Sequence, residues 1–140
     1  MKKMIITVGL SSALTISKDV LEQTGKLAKV IVPFAKDKSI EVISTDNNEA
    51  EIITAALKQI LYLTGVLKEG LSENQFSYRG NSAEILEYEE WREFIDKKFQ
   101  HYEVLVIVCR DHKIYAPREI KVMQGYLQLG TAAELEPLFF

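Results

Sequence analysis

Cysteine is almost missing from this chain, since Cys109 is the only one among its 140 residues. A single cysteine excludes a framework of disulfide bonds within the chain. Histidine and proline are also scarce, with two and three residues respectively. The sequence has neither the Gly-x-Gly-x-x-Gly pattern of dinucleotide-binding proteins nor a P-loop. Two common glycine-rich phosphate-binding loops are therefore missing.

A strong charge of either sign is missing as well. The chain has 17 basic and 20 acidic residues, a net charge of −3 and no long run of one sign. Because nucleic-acid binding relies on a basic surface, we expect no nucleic-acid partner.

No apolar run is long enough to span a bilayer. The apolar segment near the start, residues 4–9, is too short for a secretory signal. We therefore expect a cytoplasmic protein without membrane association. With 47% hydrophobic and 26% charged residues, residues 1–140 are predicted to form a single globular domain.

Short apolar runs predict buried strands at residues 4–9 and 104–109, and residues 39–44 predict another strand. The run at residues 104–109 is unbroken, which is typical of a strand at the centre of a sheet covered on both faces. Apolar residues at helical spacing lie between these strands. Alternating strands and helices indicate an α/β domain with a mainly parallel sheet.

The bounds of two segments stay open from the sequence. Ser17 is the predicted cap of the first helix, and residues 29–34 either continue that helix or form a strand. Pro33 disfavours the long helix. After Pro117, residues 120–129 predict one or two edge strands, or a short helix followed by a strand.

Two further helices have capping signals. Asn48 is the predicted cap of a helix over about residues 49–67, and Glu51 completes a capping box. A third helix is predicted from Asn81 to about residue 99, with Glu84 in the matching position.

Three segments, residues 5–9, 44–54 and 104–109, lie where predicted strands end. In parallel α/β sheets, ligands bind beyond the carboxyl ends of the strands. In order and spacing these segments resemble the motifs of the histidine phosphatase (phosphoglycerate-mutase-like) superfamily. Residues 71–73 and 80–82 are similar to its Leu-x-Glu and Gly-Glu-Ser segments.

The resemblance covers about residues 4 to 115 and implies a three-layer α/β/α fold with a mainly parallel central sheet. In the family, the first strand ends in Arg-His-Gly, and the histidine accepts the phosphoryl group. Here Thr7 and Val8 stand in place of that arginine and histidine, while Gly9 is kept.

The other two motifs are changed too. The family binds phosphate with an arginine at a helix start, where this chain has Glu49 followed by the retained Ala50. The family's late strand ends in a second histidine, and Cys109 falls at or next to that position. The resemblance therefore implies the fold of a phosphatase without its reactive groups.

These replacements predict that phosphoryl transfer is lost. Val8 has no nucleophilic atom, and a transferring phosphoryl group needs preorganised cations, whereas Thr7 is neutral and Glu49 is an anion. We predict a non-catalytic protein that acts through binding, as a structural or regulatory subunit. Its predicted cleft is lined by Thr7, Val8, Gly9, Ser44, Glu49, Cys109 and Arg110.

The sequence does not identify the protein partner. The aromatic C-terminus, Phe139–Phe140, makes a homodimer one candidate assembly.

Two other functions stay open. An enzyme of different chemistry would use Cys109 as a thiolate beside Arg110, with His112 as a base. A cysteine that closes a buried strand is more often a small core residue. A Rossmann-like small-ligand domain would instead hold a nucleotide on residues 9–12 and 44–48.

A metal site is a further alternative, with Asp46, Glu49 and Asp111 as oxygen ligands for a hard cation. However, the helix dipole favours acidic residues at a helix N-terminus without any metal. We expect neither a metal nor an organic cofactor.

Overall fold

The structure is a computed structural model that describes residues 3–10, 15–44, 48–65, 88–110, 119–127 and 133–138, with the backbone alone for residues 88–91, 110 and 138. These residues form the strands β1 (Met4–Leu10), β2 (Ile40–Ser44), β3 (Val104–Arg110), β4 (Lys121–Leu127) and β5 (Glu136–Leu138). They also form the helices α1 (Lys18–Ala35), α2 (Asn48–Leu63) and α3 (Tyr88–Lys98).

The strands form one sheet in the order β2-β3-β1-β4-β5. β1 pairs in parallel with β3 and β4, and β2 pairs in parallel with β3. β5 runs antiparallel to β4 at the edge. This confirms the predicted α/β class and the mainly parallel sheet, and it confirms the three predicted strands.

The core is divided between the two faces of the sheet, because successive side chains of a strand point to opposite faces. Val8 and Leu10 belong to a buried cluster with residues of α1 and α2. Ile5 belongs to a second cluster with Ile95 and Phe99, at the end of α3. α1 and α2 thus pack against one face, and the end of α3 packs against the other.

α1 begins where the sequence predicts but is longer than Pro33 suggested. The Ser17 hydroxyl accepts a hydrogen bond from the Val20 N–H at 3.4 Å and caps the helix. The helix continues through Pro33 to Ala35, so residues 29–34 are helical and the strand alternative is wrong. Pro33 is exposed and lies in the last turn, so the helix extends only two residues beyond it.

α2 is shorter than predicted and starts one residue earlier. Asn48 lies in its first turn rather than before it, and the helix ends at Leu63 instead of near residue 67. Gly65 has a φ of 79°, and its N–H donates to the carbonyl of Tyr62 at 3.1 Å. A glycine with positive φ just after the last turn is a common helix terminator.

The structure decides between the alternatives for residues 120–129. Residues 121–127 form one strand, β4, so the strand is confirmed and the helix alternative is wrong. β4 lies inside the sheet between β1 and β5, so the predicted edge position is also wrong. β5 takes the edge position. The predicted start of the third helix at Asn81 and the terminal aromatics Phe139–Phe140 lie outside the described residues.

Within the described ranges, no helix combines the length and the apolar character needed to cross a membrane.

Candidate functional site

The carboxyl ends of β2, β3 and β1 lie side by side, because the three strands are parallel neighbours. Gly9 on β1 is paired with Cys109 on β3. In the preceding row, Val108 lies between Val8 of β1 and Ser44 of β2. Since neighbouring strands are about 4.8 Å apart, the structure brings these predicted site residues to one edge of the sheet.

Thr7 and Val8, which the sequence predicts to replace a catalytic arginine and histidine, lie on opposite faces of β1. The Thr7 side chain is only 3% exposed, and its hydroxyl donates to the carbonyl of Met123 at 3.5 Å. Val8 is fully buried in the cluster formed with α1 and α2. Both residues therefore contribute to the core, and they do not share a common surface.

Gly9 provides space for an aromatic ring from the neighbouring strand. A Cβ atom at this position would lie 3.0 Å from both Cδ1 and Cε1 of Tyr126. Gly9 and Tyr126 are paired across β1 and β4. Gly9 thus has a packing role in this chain, because it allows the Tyr126 ring to lie over the strand.

The Cys109 thiol is enclosed. Its side chain is buried, and Sγ donates to the carbonyl of Val8 at 3.8 Å. Burial raises the pKa of Cys109 to about 12. At neutral pH the group is therefore a neutral thiol rather than the thiolate that nucleophilic attack requires. The proposed base His112 lies outside the described residues.

Ser44 and Glu49 lie where β2 leads into α2. Ser44 is buried at the strand end, and Glu49 is half-buried in the first turn of the helix together with the exposed Glu51. Two carboxylates in a first turn are stabilised by the helix dipole. Glu49 gives this part of the site a negative charge, where a phosphate-binding arginine would give a positive one.

The ligands suggested for a metal are only partly described. Asp46 and Asp111 lie outside the described residues, as does the side chain of Arg110. Within the described part of the chain, no three His, Cys, Asp or Glu side chains are grouped so that they could hold a metal ion.

A cluster of charged side chains that the predicted site does not include is centred on Glu41 of β2. Lys58 Nζ of α2 is 3.8 Å from Glu41 Oε1, and Lys98 Nζ at the end of α3 is 3.6 Å from Glu41 Oε2. Glu41 Oε1 also accepts a hydrogen bond from the Val42 N–H at 3.1 Å. The ammonium of Lys98 lies 5.9 Å from the centroid of the Tyr102 ring.

Both lysines of this cluster are buried, with 8% exposure for Lys58 and 5% for Lys98. Removal from water lowers the pKa of each, and the attraction of Glu41 offsets part of that effect. The sequence alone did not predict this cluster. The available signal was Lys58 itself, which lies four residues after the buried Thr54 on α2, in line with the buried side of the helix.

Comparison of the chain with models of protein families, with curated protein sequences and with solved structures finds no match.

Proposed function

We propose that this chain is a non-catalytic protein with a three-layer, histidine-phosphatase-like fold and that it acts through binding, as a structural or regulatory subunit. The parallel arrangement of β1, β2 and β3 supports this proposal, because it gathers the three altered motifs at one edge of the sheet. The packing of helices against both faces also supports the three-layer arrangement.

The burial of Val8 and Cys109 is the observation that carries the proposal. Val8 occupies the position of the phosphoryl-accepting histidine and is fully enclosed. Cys109, at or next to the second histidine, holds a thiol whose pKa is raised to about 12. Neither side chain supplies a nucleophile or a proton acceptor at neutral pH.

Glu49 adds an electrostatic argument. Two like charges 4 Å apart repel by about 1 kcal/mol even at the dielectric constant of water, and by more in a cleft. A phosphate dianion placed near Glu49 is therefore repelled at the position where the family attracts it.

Hydrolysis of p-nitrophenyl phosphate tests the proposal. We expect the purified protein to show no hydrolysis above the rate of the buffer. Hydrolysis that disappears in Cys109→Ala or in His112→Ala would overturn the proposal, because loss of activity in these variants would assign the reaction to this chain rather than to a contaminant.

Alkylation of the thiol separates the proposed binding function from an enzyme that uses Cys109. We expect iodoacetamide to react with Cys109 slowly in the native protein and rapidly in urea. A native thiol that reacts with an apparent pKa well below about 8.5 would favour the enzyme instead.

A further inference from the structure

Tyr126 is an exposed aromatic residue in the middle of a buried segment. Its side chain is 53% exposed, although its neighbours along β4, Gly125 and Leu127, are buried. The ring edge formed by Cδ1 and Cε1 lies over Gly9, so the strand beneath supports the ring. More than half of a large aromatic surface is therefore held in place while it remains open to solvent.

Two polar residues lie near the ring on this face. Gln124, two positions before Tyr126 on β4, points to the same face because side chains alternate along a strand. Gln124 is paired with Thr7 on one side and with Glu136 of β5 on the other. Gln124 is half-buried and Glu136 is exposed, so an amide and a carboxylate lie next to the ring.

Among the described residues, this surface carries a negative charge, that of Glu136. Glu136 forms no ion pair within the described part of the chain. Lys121 is on the same strand as Tyr126, but at an odd-numbered position that the alternation directs to the other face. The nearby Cys109 is neutral, because burial raises its pKa to about 12.

We propose that this surface, the Tyr126 patch (Tyr126, Gln124 and Glu136), binds a small ligand through a guanidinium group. The inference rests on the proposed binding function, for which it names the class of ligand. The patch also lies towards the carboxyl ends of β1 and β4, the side of a parallel sheet on which ligands bind.

A guanidinium group matches the patch in shape and in charge. It is planar, stacks on aromatic rings and forms paired hydrogen bonds with a carboxylate. Diagonal neighbours on two antiparallel strands, such as Tyr126 and Glu136, are about 7–8 Å apart. One cation can therefore lie within about 6 Å of the ring while it contacts the carboxylate. The Gln124 amide oxygen offers a further acceptor for its N–H groups.

Titration with ethylguanidine, followed by NMR of the backbone amides, tests the proposal. Ethylurea is the matched probe, because it has a similar planar shape and no charge. We expect ethylguanidine to shift the amide signals of β4 and β5 with saturation, and ethylurea to bind at least about tenfold more weakly, since it lacks the charge that Glu136 attracts. We expect Tyr126→Leu to weaken ethylguanidine binding by about two- to fivefold, and Glu136→Gln to reduce it to the level of ethylurea.

Two variants outside the patch serve as controls. Tyr62→Leu removes another exposed tyrosine, and Glu119→Gln removes another exposed carboxylate, so both should bind ethylguanidine as the unaltered protein does. Equal binding of the two probes, or patch variants that bind like the controls, would refute the proposal. If Tyr126→Leu does not fold, Glu136→Gln alone tests the proposal. Glu136 is exposed, so we expect this variant to fold.

The result is distinguishable from failure of the proposed function. Phosphatase activity would refute the non-catalytic function, whatever the titration shows. A protein without phosphatase activity that also fails to discriminate ethylguanidine from ethylurea would refute the Tyr126 patch alone.

Discussion

Lys58 and Lys98 contact the two oxygens of a single carboxylate, that of Glu41, from opposite sides of the sheet. Lys58 comes from α2, which packs against one face, and Lys98 from the end of α3, which packs against the other. The distances are 3.8 Å and 3.6 Å. Because β2 is the first strand in the sheet order, this cluster connects two helices across the side of the sheet that β2 forms.

Glu41→Gln should destabilise the protein strongly. The glutamine keeps the shape of the side chain but removes the charge that faces two buried ammonium groups. Removing one partner of a buried ion pair typically destabilises by about 3–5 kcal/mol. We expect about 3 kcal/mol, the lower end of that range, because Lys98 retains its contacts with the Phe94 and Tyr102 rings. Urea unfolding measures the change.

Glu93→Gln is the control for Glu41→Gln. Glu93 is an exposed residue of α3, and surface substitutions usually change the free energy of unfolding by less than about 0.5 kcal/mol. If both variants unfold at the same urea concentration, the cluster does not contribute the stability inferred from its geometry.

Thr54→Val should stabilise the protein. The Thr54 hydroxyl on α2 is buried and has no hydrogen-bond partner among the residues that the structure describes. Valine has nearly the same shape, and threonine and valine have similar helix propensities. Burying a hydroxyl without a hydrogen bond is unfavourable, so we expect its removal to raise the free energy of unfolding by about 1 kcal/mol.

Thr24→Val is the matched control for this substitution. Thr24 is fully buried on α1, and its hydroxyl donates to the carbonyl of Val20 at 2.8 Å. We expect Thr24→Val to lower the free energy of unfolding by about 1 kcal/mol, because a hydrogen bond is removed. A gain of stability in Thr54→Val with a loss in Thr24→Val would support the view that the Thr54 hydroxyl is unsatisfied. A loss of stability in both variants would contradict it.

The sequence was sufficient to predict most of the elements, because their signals are local. β1 and β3 are short runs of β-branched apolar residues, and Ser17 is a favourable residue at its helix start. Pro33 misled the prediction because the effect of a proline depends on its place in the helix. It lies near the end of α1 and is exposed, so only two helical residues follow it.

The site was harder to predict, because its properties depend on contacts between distant segments. The motif order placed Val8, Ser44 and Cys109 together in a predicted cleft, whereas all three side chains are buried in the structure. The contact between the Tyr126 ring and Gly9 could not be predicted either, because nothing in the sequence pairs these two residues. One feature was available from the sequence: adjacent residues of a strand, such as Thr7 and Val8, point to opposite faces.

Cys109 should make stability fall at alkaline pH. Burial raises its pKa from 9.0 to about 12, so the unfolded chain loses this proton at a lower pH than the folded protein. The stabilising contribution is fully present below pH 9.0 and is lost as the pH rises towards 12. Within that range, ionisation of Cys109 lowers the free energy of unfolding by at most about 1.4 kcal/mol per pH unit.

The measurement is urea unfolding of the protein and of Cys109→Ala between about pH 8 and 10.5, a range chosen to span the rise from the reference pKa. Comparison with the variant cancels the contributions of other titrating groups. As the pH rises, we expect the unaltered protein to lose more stability than Cys109→Ala does. A difference in stability that does not depend on pH would mean that the thiol is accessible to water.

Gly125→Ala should destabilise the protein more than Gly9→Ala, although both glycines are on central strands. A Cβ at Gly125 would lie 2.9 Å from Leu27 Cδ1 and 3.0 Å from Leu135 Cδ2. Leu27 is fully buried on α1, so α1 or β4 has to move, and overpacking of this kind typically costs about 1–3 kcal/mol.

At Gly9 the close contact is with the ring of Tyr126, which is half exposed and can swing away from the new methyl group. Alanine also restricts the unfolded chain more than glycine does, which favours the folded state by about 0.5–1 kcal/mol. We therefore expect Gly9→Ala to change the free energy of unfolding by less than about 1 kcal/mol, and to become stabilising when Tyr126→Ala removes the ring. Urea unfolding of the four proteins in this double-mutant cycle gives the coupling between the two residues. No coupling would mean that the ring does not rest on Gly9 in solution.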